Sequence, residues 1–364
     1  MTPAPRLRVA VVLPAYFPGE LDYVGGGDRY AYRVADALRS HCEVTFVTFG
    51  PRLVERSIDG LRHVVVPALG RNPDNPVPSP GFFLRERFDV IHVYQLRSTV
   101  TSMLAILAHA RRTPLVVTDV GGGGRSLMYR LQLHRYVRRF VLISDFSRQL
   151  LPESTWNRAA VVKGGIDLAR FPHHPGPRRR QVVQVGRIMP HKGINFLIDA
   201  AGSDIPVVVA GRVVDQAYYQ LLVEMSKEKQ VTFITDADDT RVRELYENSA
   251  VTVAASVYQD LWGRPWPNSE LLGLTLLESM ATGTPVVCTA VGGMPEYVVD
   301  GTTGCIVPPG DPAALRGAIL KLLDDPALAA EMGLAGNRHV QQFAWANVAA
   351  GVAAQYALLT RAAR

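Results

Sequence analysis

The 364-residue chain lacks several things that would place it at once. It has only three cysteines, Cys42, Cys288 and Cys305, scattered without metal-ligand spacing. That excludes a zinc module or disulfide framework and leaves buried free thiols in a reducing compartment. No apolar run approaches the ~18–20 residues that span a bilayer. Met1-Thr-Pro-Ala-Pro-Arg6 leads into a strand without the apolar core of a secretory signal, so the expected location is cytoplasmic. Charge of neither sign dominates: 39 Lys+Arg stand against 33 Asp+Glu, net +6. With no aromatic-interleaved basic motif, nucleic acid is not an expected partner; an acidic small molecule or an anionic surface suits the excess better. The spaced G-x-G-x-x-G of a dinucleotide fold is also missing.

What is present is length for two domains and enough apolar residues, 48%, for two cores. Arg8–Pro14 is a continuous apolar run, the pattern of a strand buried on both faces. Further strands read at Val44–Thr48, Arg62–Pro67, Val90–Tyr94, Leu115–Thr118 and Phe140–Ile143, with a helix at Val100–Ala110. Such alternation predicts a doubly wound α/β domain. After the first strand, Gly25-Gly26-Gly27 precedes a helical pattern, a place where backbone N–H groups can approach an anion. Arg71–Phe82 reads as a surface loop. Arg125–Phe140, with Arg125, Arg130, Arg135, Arg138 and Arg139 among Leu127, Leu131 and Val137, reads as a basic amphipathic helix. A solvated face, or one lining an acceptor cleft, explains it better than docking on a membrane surface. Phe171–Arg180 breaks all periodicity and reads as a linker.

A second set of strands ends on glycine. Val182–Val185 delivers Gly186 and Arg187, then a loop delivers Lys192 before a helix; Pro206–Ala210 delivers Gly211 and Arg212. Two cations converging at a strand end can neutralise a departing diphosphate. Further on, Glu270-Leu-Leu-Gly273-Leu274-Thr275-Leu-Leu-Glu278 sets two carboxylates eight residues apart around a glycine. If Gly273 closes a loop and Leu274 opens a helix, unpaired N–H groups face a phosphate, with Glu270 ahead of it and Glu278 a turn behind. A diphosphate with hydroxyls at both ends fits. An amphipathic helix that happens to carry two glutamates would look the same.

Glu270-x7-Glu278 followed by Met280-Ala-x-Gly283-x-Pro285-Val-Val resembles the retaining glycosyltransferases of family 4, and Gly186-Arg187-x4-Lys192-Gly193 resembles their diphosphate motif. The resemblance is strong over residues 181–310 and looser before 175. It implies the GT-B fold: two Rossmann-like domains facing a central cleft, an acceptor-side domain at 1–172, a linker at 173–180, a nucleotide-sugar domain at 181–343, and a terminal helix at 344–364 crossing back. It implies transfer, with retention, of a sugar from a UDP- or GDP-sugar to a small-molecule or lipid acceptor. The catalytic set would be Arg187, Lys192 and Glu270. Gly26, Gly27, Gly186, Gly211, Arg212, Gly273, Leu274 and Thr275 would line the donor, Thr235 and Asp236 the base, and Glu278 the ribose. Such enzymes generally need no bound metal, and no Asp-x-Asp arrangement here demands one; no cofactor is expected.

The departure lies at Thr118-Asp119-Val120-Gly121. The family commonly places a histidine there against the donor sugar, and this chain has none. Asp119 and Gly121 are the candidates in its place, with His92 or His134 as substitutes, although structural roles fit those two histidines better. Tyr258–Ser269, longer than usual, offers Trp262 and Arg264 either as a cover over donor or acceptor or as stiffening. A nicotinamide-dependent oxidoreductase and a nucleotide-sugar-binding protein with weak catalysis are the alternatives. Arginine- and alanine-rich usage suits a GC-rich bacterium and secondary-metabolite biosynthesis. Oligomeric state and acceptor identity are not encoded legibly.

Overall fold

The computed structural model describes residues 6–17, 26–69, 75–121 and 126–361. Gly25, Arg125 and residues 71–74, which belong to segments read above, lie outside the described residues. The chain divides into two compact units, residues 1–165 with 345–364, and residues 166–344.

In the first unit the strands are β1 (Arg8–Tyr16), β2 (Glu43–Gly50), β3 (Val54–Ile58), β4 (Leu61–Leu69), β5 (Val77–Pro78), β6 (Val90–Tyr94), β7 (Leu115–Thr118), β8 (Arg139–Leu142) and β9 (Ala159–Val161). Helices α1 (Gly26–Leu38), α2 (Gly81–Arg85) and α3 (Thr99–Ala110) intervene. The sheet runs β3-β4-β2-β1-β6-β7-β8-β9, with β5 on β4. All pairs are parallel except β3 and β5 against β4. The apolar run of β1 is buried because it lies between β2 and β6. From β1 the chain moves outward to β2 and β4, then returns to β6 on the other side. That reversal is the switch point beside which doubly wound folds bind ligands.

Two expectations fail here. Residues 125–140 form no helix among the described residues: turns lead to a 3-10 turn at Leu133–Tyr136, and Arg139 already begins β8. Gln132 takes the left-handed conformation, φ 52°, which ends any helix. Met128, Leu133 and Val137 are buried, while Leu127 and Leu131 stay exposed. Arg71–Phe82 is also more than a loop, since Val77–Pro78 pairs with β4 and α2 follows.

The second unit has β10 (Arg179–Val185), β11 (Val207–Ala210), β12 (Val231–Ile234), β13 (Ser249–Ala254), β14 (Val286–Thr289) and β15 (Gly304–Val307). Its helices are α4 (Ile194–Ala201), α5 (Gln216–Met225), α6 (Asp239–Asn248), α7 (Leu274–Thr282), α8 (Pro312–Leu323) and α9 (Pro326–Val340). The sheet is parallel throughout, in the order β12-β11-β10-β13-β14-β15. One core forms where Val182, Val207, Val209, Val251, Val253 and Val287 meet Leu197, Ile198, Leu315 and Ile319. Helix α10 (Trp345–Arg361) belongs to the first unit, where Tyr356 donates its ring to the core and its hydroxyl lies 2.6 Å from His92 Nδ1.

The expected boundaries shift accordingly. Residues 166–180 belong to the second unit instead of forming a free linker after 172. Ile166 N–H donates to Phe343 O at 3.1 Å, and β10 starts at Arg179. The Arg178 guanidinium donates to the carbonyls of Tyr246 (3.0 Å), Glu247 (2.8 Å), His174 (3.1 Å) and Thr282 (2.9 Å) and to Thr284 Oγ1 (2.5 Å). It thereby satisfies the carbonyl ends of α6 and α7. Burial pushes its pKa down to about 10. An arginine in a proline-rich stretch gives no such sign in one dimension.

Candidate active site

In the second unit the chain leaves β10 toward β11 and β12 and returns to β13 on the other side, so the switch point falls between β10 and β13. The loops leaving these two strands bring the expected residues together. Gly186 (φ 156°) and Gly211 (φ 146°) end β10 and β11 side by side; a Cβ on Gly211 would sit 2.0 Å from Gly186 O, so only glycine fits. Arg187 and Arg212, which follow them, are exposed, as are Thr235 and Asp236 after β12.

Lys192 ends a 3-10 turn, Pro190–Lys192. Its carbonyl accepts Gln184 Nε2 at 2.8 Å, and Gly193 behind it (φ 62°) passes so close to Ala255 O that a Cβ would lie 1.9 Å away. These two restraints fix the backbone from which the lysine reaches. Its Nζ lies 2.5 Å from Glu270 Oε1, which also accepts Ser256 Oγ at 2.6 Å. The pair is mostly buried, the side chains retaining 21% and 12% exposure. Burial alone would raise the Glu270 pKa; the Lys192 ammonium and the bonds from Lys192 and Ser256 outweigh it and hold the carboxyl below its ordinary range. On the backbone side, Glu270 O accepts Gly293 N–H at 3.0 Å, and Gly292 passes where a Cβ would meet that same oxygen at 1.8 Å. Ser256, Gln184 and Gly292 are contributors that sequence reasoning missed; two are small residues in loops after β13 and β14, and the third is a glutamine near the end of β10.

Gly273 (φ 109°) opens α7 and Gly283 (φ 82°) closes it, so Leu274 and Thr275 are its first residues, as the spacing suggests. Glu278 lies one turn in, and its Oε2 accepts Tyr246 Oη at 3.0 Å. The helix starts of this unit divide into two kinds. Asp215, Asp238, Asp311 and Asp325 cap α5, α6, α8 and α9, each carboxylate accepting a backbone N–H. α4 and α7 begin instead on left-handed glycines, Gly193 and Gly273, with no side-chain cap. These two starts adjoin Lys192 and Glu270. The first N–H groups of a helix have no partner inside it, so each start offers donors and positive potential.

The Tyr258–Ser269 loop is ordered by one carboxylate. Asp260, 4% exposed, accepts Trp262 N–H, Arg264 N–H and Trp266 Nε1–H, each at 3.0 Å. Burial works against its charge, but these donors prevail and keep its pKa below the usual carboxylate range. Trp262 and Arg264 are exposed and stacked, the guanidinium 5.0 Å from the ring centroid.

In the first unit, Gly26 and Gly27 form the first turn of α1, and a Cβ on Gly27 would lie 3.0 Å from Val120 Cγ2. The helix start thus adjoins the end of β7. Asp119 is buried there, Oδ1 accepting Gly121 N–H at 3.1 Å, and burial raises its pKa. His92 is engaged at both ring nitrogens, Nδ1 with Tyr356 Oη and Nε2 with Thr118 Oγ1 (2.8 Å), and burial pushes its pKa down to about 3. Both bonds mark it as structural. His134 lies against Tyr129, ring centroids 5.7 Å apart.

Two family descriptions match the chain in succession: Glycosyltransferase Family 4 over residues 24–170, and Glycosyl transferases group 1 over residues 166–339. The chain belongs to glycosyltransferase family 4. This transferase is 24% identical, over 96% of its own chain and 93% of the other, to phosphatidyl-myo-inositol mannosyltransferase of Mycolicibacterium smegmatis. It is 30% identical to D-inositol 3-phosphate glycosyltransferase of Acidothermus cellulolyticus, over 69% of this chain and 60% of that one. Among solved structures, HepE of Anabaena in complex with UDP-glucose aligns with a TM-score of 0.74 at 17% identity, covering 97% of this chain and 100% of that one. Sucrose-phosphate synthase from Thermosynechococcus elongatus aligns at 0.73 and 21%, covering 98% and 100%. These likenesses show the fold, GT-B with two parallel-sheet Rossmann-like units. No helix among the described residues is long and apolar enough to cross a membrane.

Proposed function

We propose that this transferase moves a sugar from a nucleoside diphosphate sugar to an acceptor hydroxyl with retention of configuration and without a bound metal. The observation that carries the proposal is the Lys192–Glu270 pair at the switch point, next to the two helix starts of the second unit that open on left-handed glycines without a side-chain cap. The diphosphate would lie over Gly273, Leu274 and Thr275, where backbone donors and Lys192 and Arg187 meet its charge. Glu270, released in part from Lys192, would accept from hydroxyls of the donor sugar. Glu278, oriented by Tyr246, would accept from the ribose, and Thr235 and Asp236 would border the base.

In the transfer, the bond from the anomeric carbon to the diphosphate oxygen breaks as the acceptor oxygen bonds that carbon from the same face. The acceptor proton passes to the departing phosphate oxygen. The cations and N–H groups favour this step because negative charge grows on the leaving group. UDP is the favoured nucleotide, since HepE is known with UDP-glucose. A polyol is the favoured acceptor class, since two relatives are named for inositol derivatives. Cytoplasmic residence and a place in bacterial secondary metabolism belong to the same proposal.

Thermal shift against UDP, GDP, ADP, TDP and NAD tests it. Saturation at 100 times Kd adds about 2.7 kcal/mol, a shift of a few degrees. One nucleoside diphosphate is expected to stabilise the protein, unchanged by chelator and abolished in Glu278→Ala. NMR of the transfer product then reads the anomeric configuration. Stabilisation by NAD alone, or an inverted product, would overturn the proposal.

A further inference from the structure

Lys192 and Glu270 stand on loops from different strands, and a lysine side chain holds its ammonium in place only as well as its backbone is held. One aromatic ring joins the two loops. Trp266, four residues before Glu270, lies over the His191 ring with centroids 4.7 Å apart and planes 35° apart. His191 directly precedes Lys192, and its carbonyl accepts Val257 N–H at 2.9 Å. Trp266 is itself tied down on both sides: its N–H donates to Tyr258 O at 2.7 Å and its indole Nε1–H to Asp260 Oδ2. Its carbonyl accepts Ser269 N–H at 3.1 Å, one residue before Glu270. The loop that is longer than its family counterparts therefore closes a circuit from Asp260 through Trp266 and His191 to Lys192.

We propose that Trp266, held by Asp260, is a positioning residue for sugar transfer, which fixes the presentation of Lys192 to Glu270 by covering His191. Its second consequence is electrostatic. The His191 ring is buried, and Nδ1 has no partner among the described residues. Lys192, Arg187, Glu270 and Asp260 all face it. Burial first, then the Lys192 charge, pushes its pKa down to about 4, so the imidazole stays neutral near pH 7. Once uncovered and hydrated it would titrate nearer 6.5. Protonated, it would place a further cation beside Lys192 and compete for Glu270.

This inference rests on the transferase proposal for its kinetic readout but not for its spectroscopic one. Trp266→Ala is expected to lower kcat 10–100-fold, the usual effect of losing such a support, with the donor KM within about 3-fold. Trp266→Phe, which keeps the ring face, is expected to recover to within about 3-fold of wild type. In NMR titrations of the whole protein, the His191 imidazole should not titrate between pH 5 and 8 in wild type and should do so in Trp266→Ala. Should Trp266→Ala fail to fold, Asp260→Asn keeps an oxygen to accept the two backbone N–H groups and puts an amide NH2 where the indole's acceptor was, and it should show a smaller shift of the same sign. Wild-type kcat in Trp266→Ala, a Phe variant as slow as Ala, or a His191 titration that neither variant moves would each overturn the inference. A wild-type protein that transfers no sugar would sink the proposed function alone, because the His191 titration still decides this point.

Discussion

The two units share the strand order of their parallel cores, β4-β2-β1-β6-β7-β8 and β12-β11-β10-β13-β14-β15, and carry opposite net charge. Residues 1–165 with 345–364 hold 24 Lys+Arg against 13 Asp+Glu, a net of +11; residues 166–344 hold 15 against 20, a net of −5. Total charge alone would assign an anionic donor to the basic unit, yet the lysine–glutamate pair and the helix starts on the left-handed glycines Gly193 and Gly273 lie in the acidic one. The excess carboxylates of that unit are largely structural: Asp215, Asp238, Asp311 and Asp325 close helix starts, and Asp260 orders a loop. They leave Lys192, Arg187, Arg212 and two helix starts on glycine among the local positive features. Potential at a site falls off within about a Debye length of ~8–10 Å, so nearby placement outweighs the total. Net charge describes a unit's surface and says little about which unit receives a phosphate.

The severest way to break this contrast is to remove its local cation. Lys192→Ala should lower kcat/KM by about 10²–10³-fold, the cost of losing a preorganised electrostatic donor to the leaving group. Reversing two exposed charges of the basic unit, Arg130→Glu with Arg138→Glu, should leave donor KM unchanged within about 2-fold. Equal losses in both variants, measured by steady-state kinetics, would mean that total charge governs after all.

Arg178→Met tests whether the second unit depends on a cation for its framework too. Four carbonyls and Thr284 Oγ1 lose their shared donor. At ~1 kcal/mol per bond, partly recovered by water, the loss should be about 3 kcal/mol. Calorimetry should show a transition of residues 166–344 moved down by several degrees, with the other unit's unmoved.

Acid should separate the units in the other direction. In the first, burial pushes His92 to about 3 and burial and Arg56 push His63 to about 4. Below pH ~6.5 the unfolded chain binds protons that these folded sites refuse. Stability is therefore complete above that pH and falls as pH drops toward 4, by about 1.4 kcal/mol per unit for each histidine. From pH 6.5 to 5.5, where the unfolded imidazoles are only part-way through their titration, the first unit should lose about 2 kcal/mol in urea unfolding. The second unit, with His191 fully buried and His339 half-buried, should lose less. Parallel losses would contradict the assignment.

The smallest effect concerns Glu278. Tyr246→Phe removes its hydroxyl donor while keeping the buried ring, so nucleoside diphosphate binding should weaken by about 1 kcal/mol, roughly 5-fold by calorimetric titration. An unchanged Kd would mean that Glu278 needs no orientation.

Much of this was legible in one dimension because local rules act on contiguous residues. Short apolar runs mark β1, β6 and β7 as strands, and each is buried along most of its length. Gly273 before an apolar helix and Gly283 after it delimit α7. The arginines of 125–140 misled for the same reason: their period resembles a helix, but burial selected Met128, Leu133 and Val137, and Gln132 turned left-handed.

By itself, the sequence determined the two doubly wound units, the strand ends that carry Arg187 and Lys192, and the eight-residue interval from Glu270 to Glu278, since each follows from periodicity or from glycine and proline at a single place. Only the tertiary structure decided which partners those residues keep. Lys192 meets Glu270 across 78 positions, Tyr246 meets Glu278 across 32, and Arg178 reaches Thr282 across 104. No local pattern records such pairings, because they exist only once the sheet and the helices packed on it bring distant segments side by side.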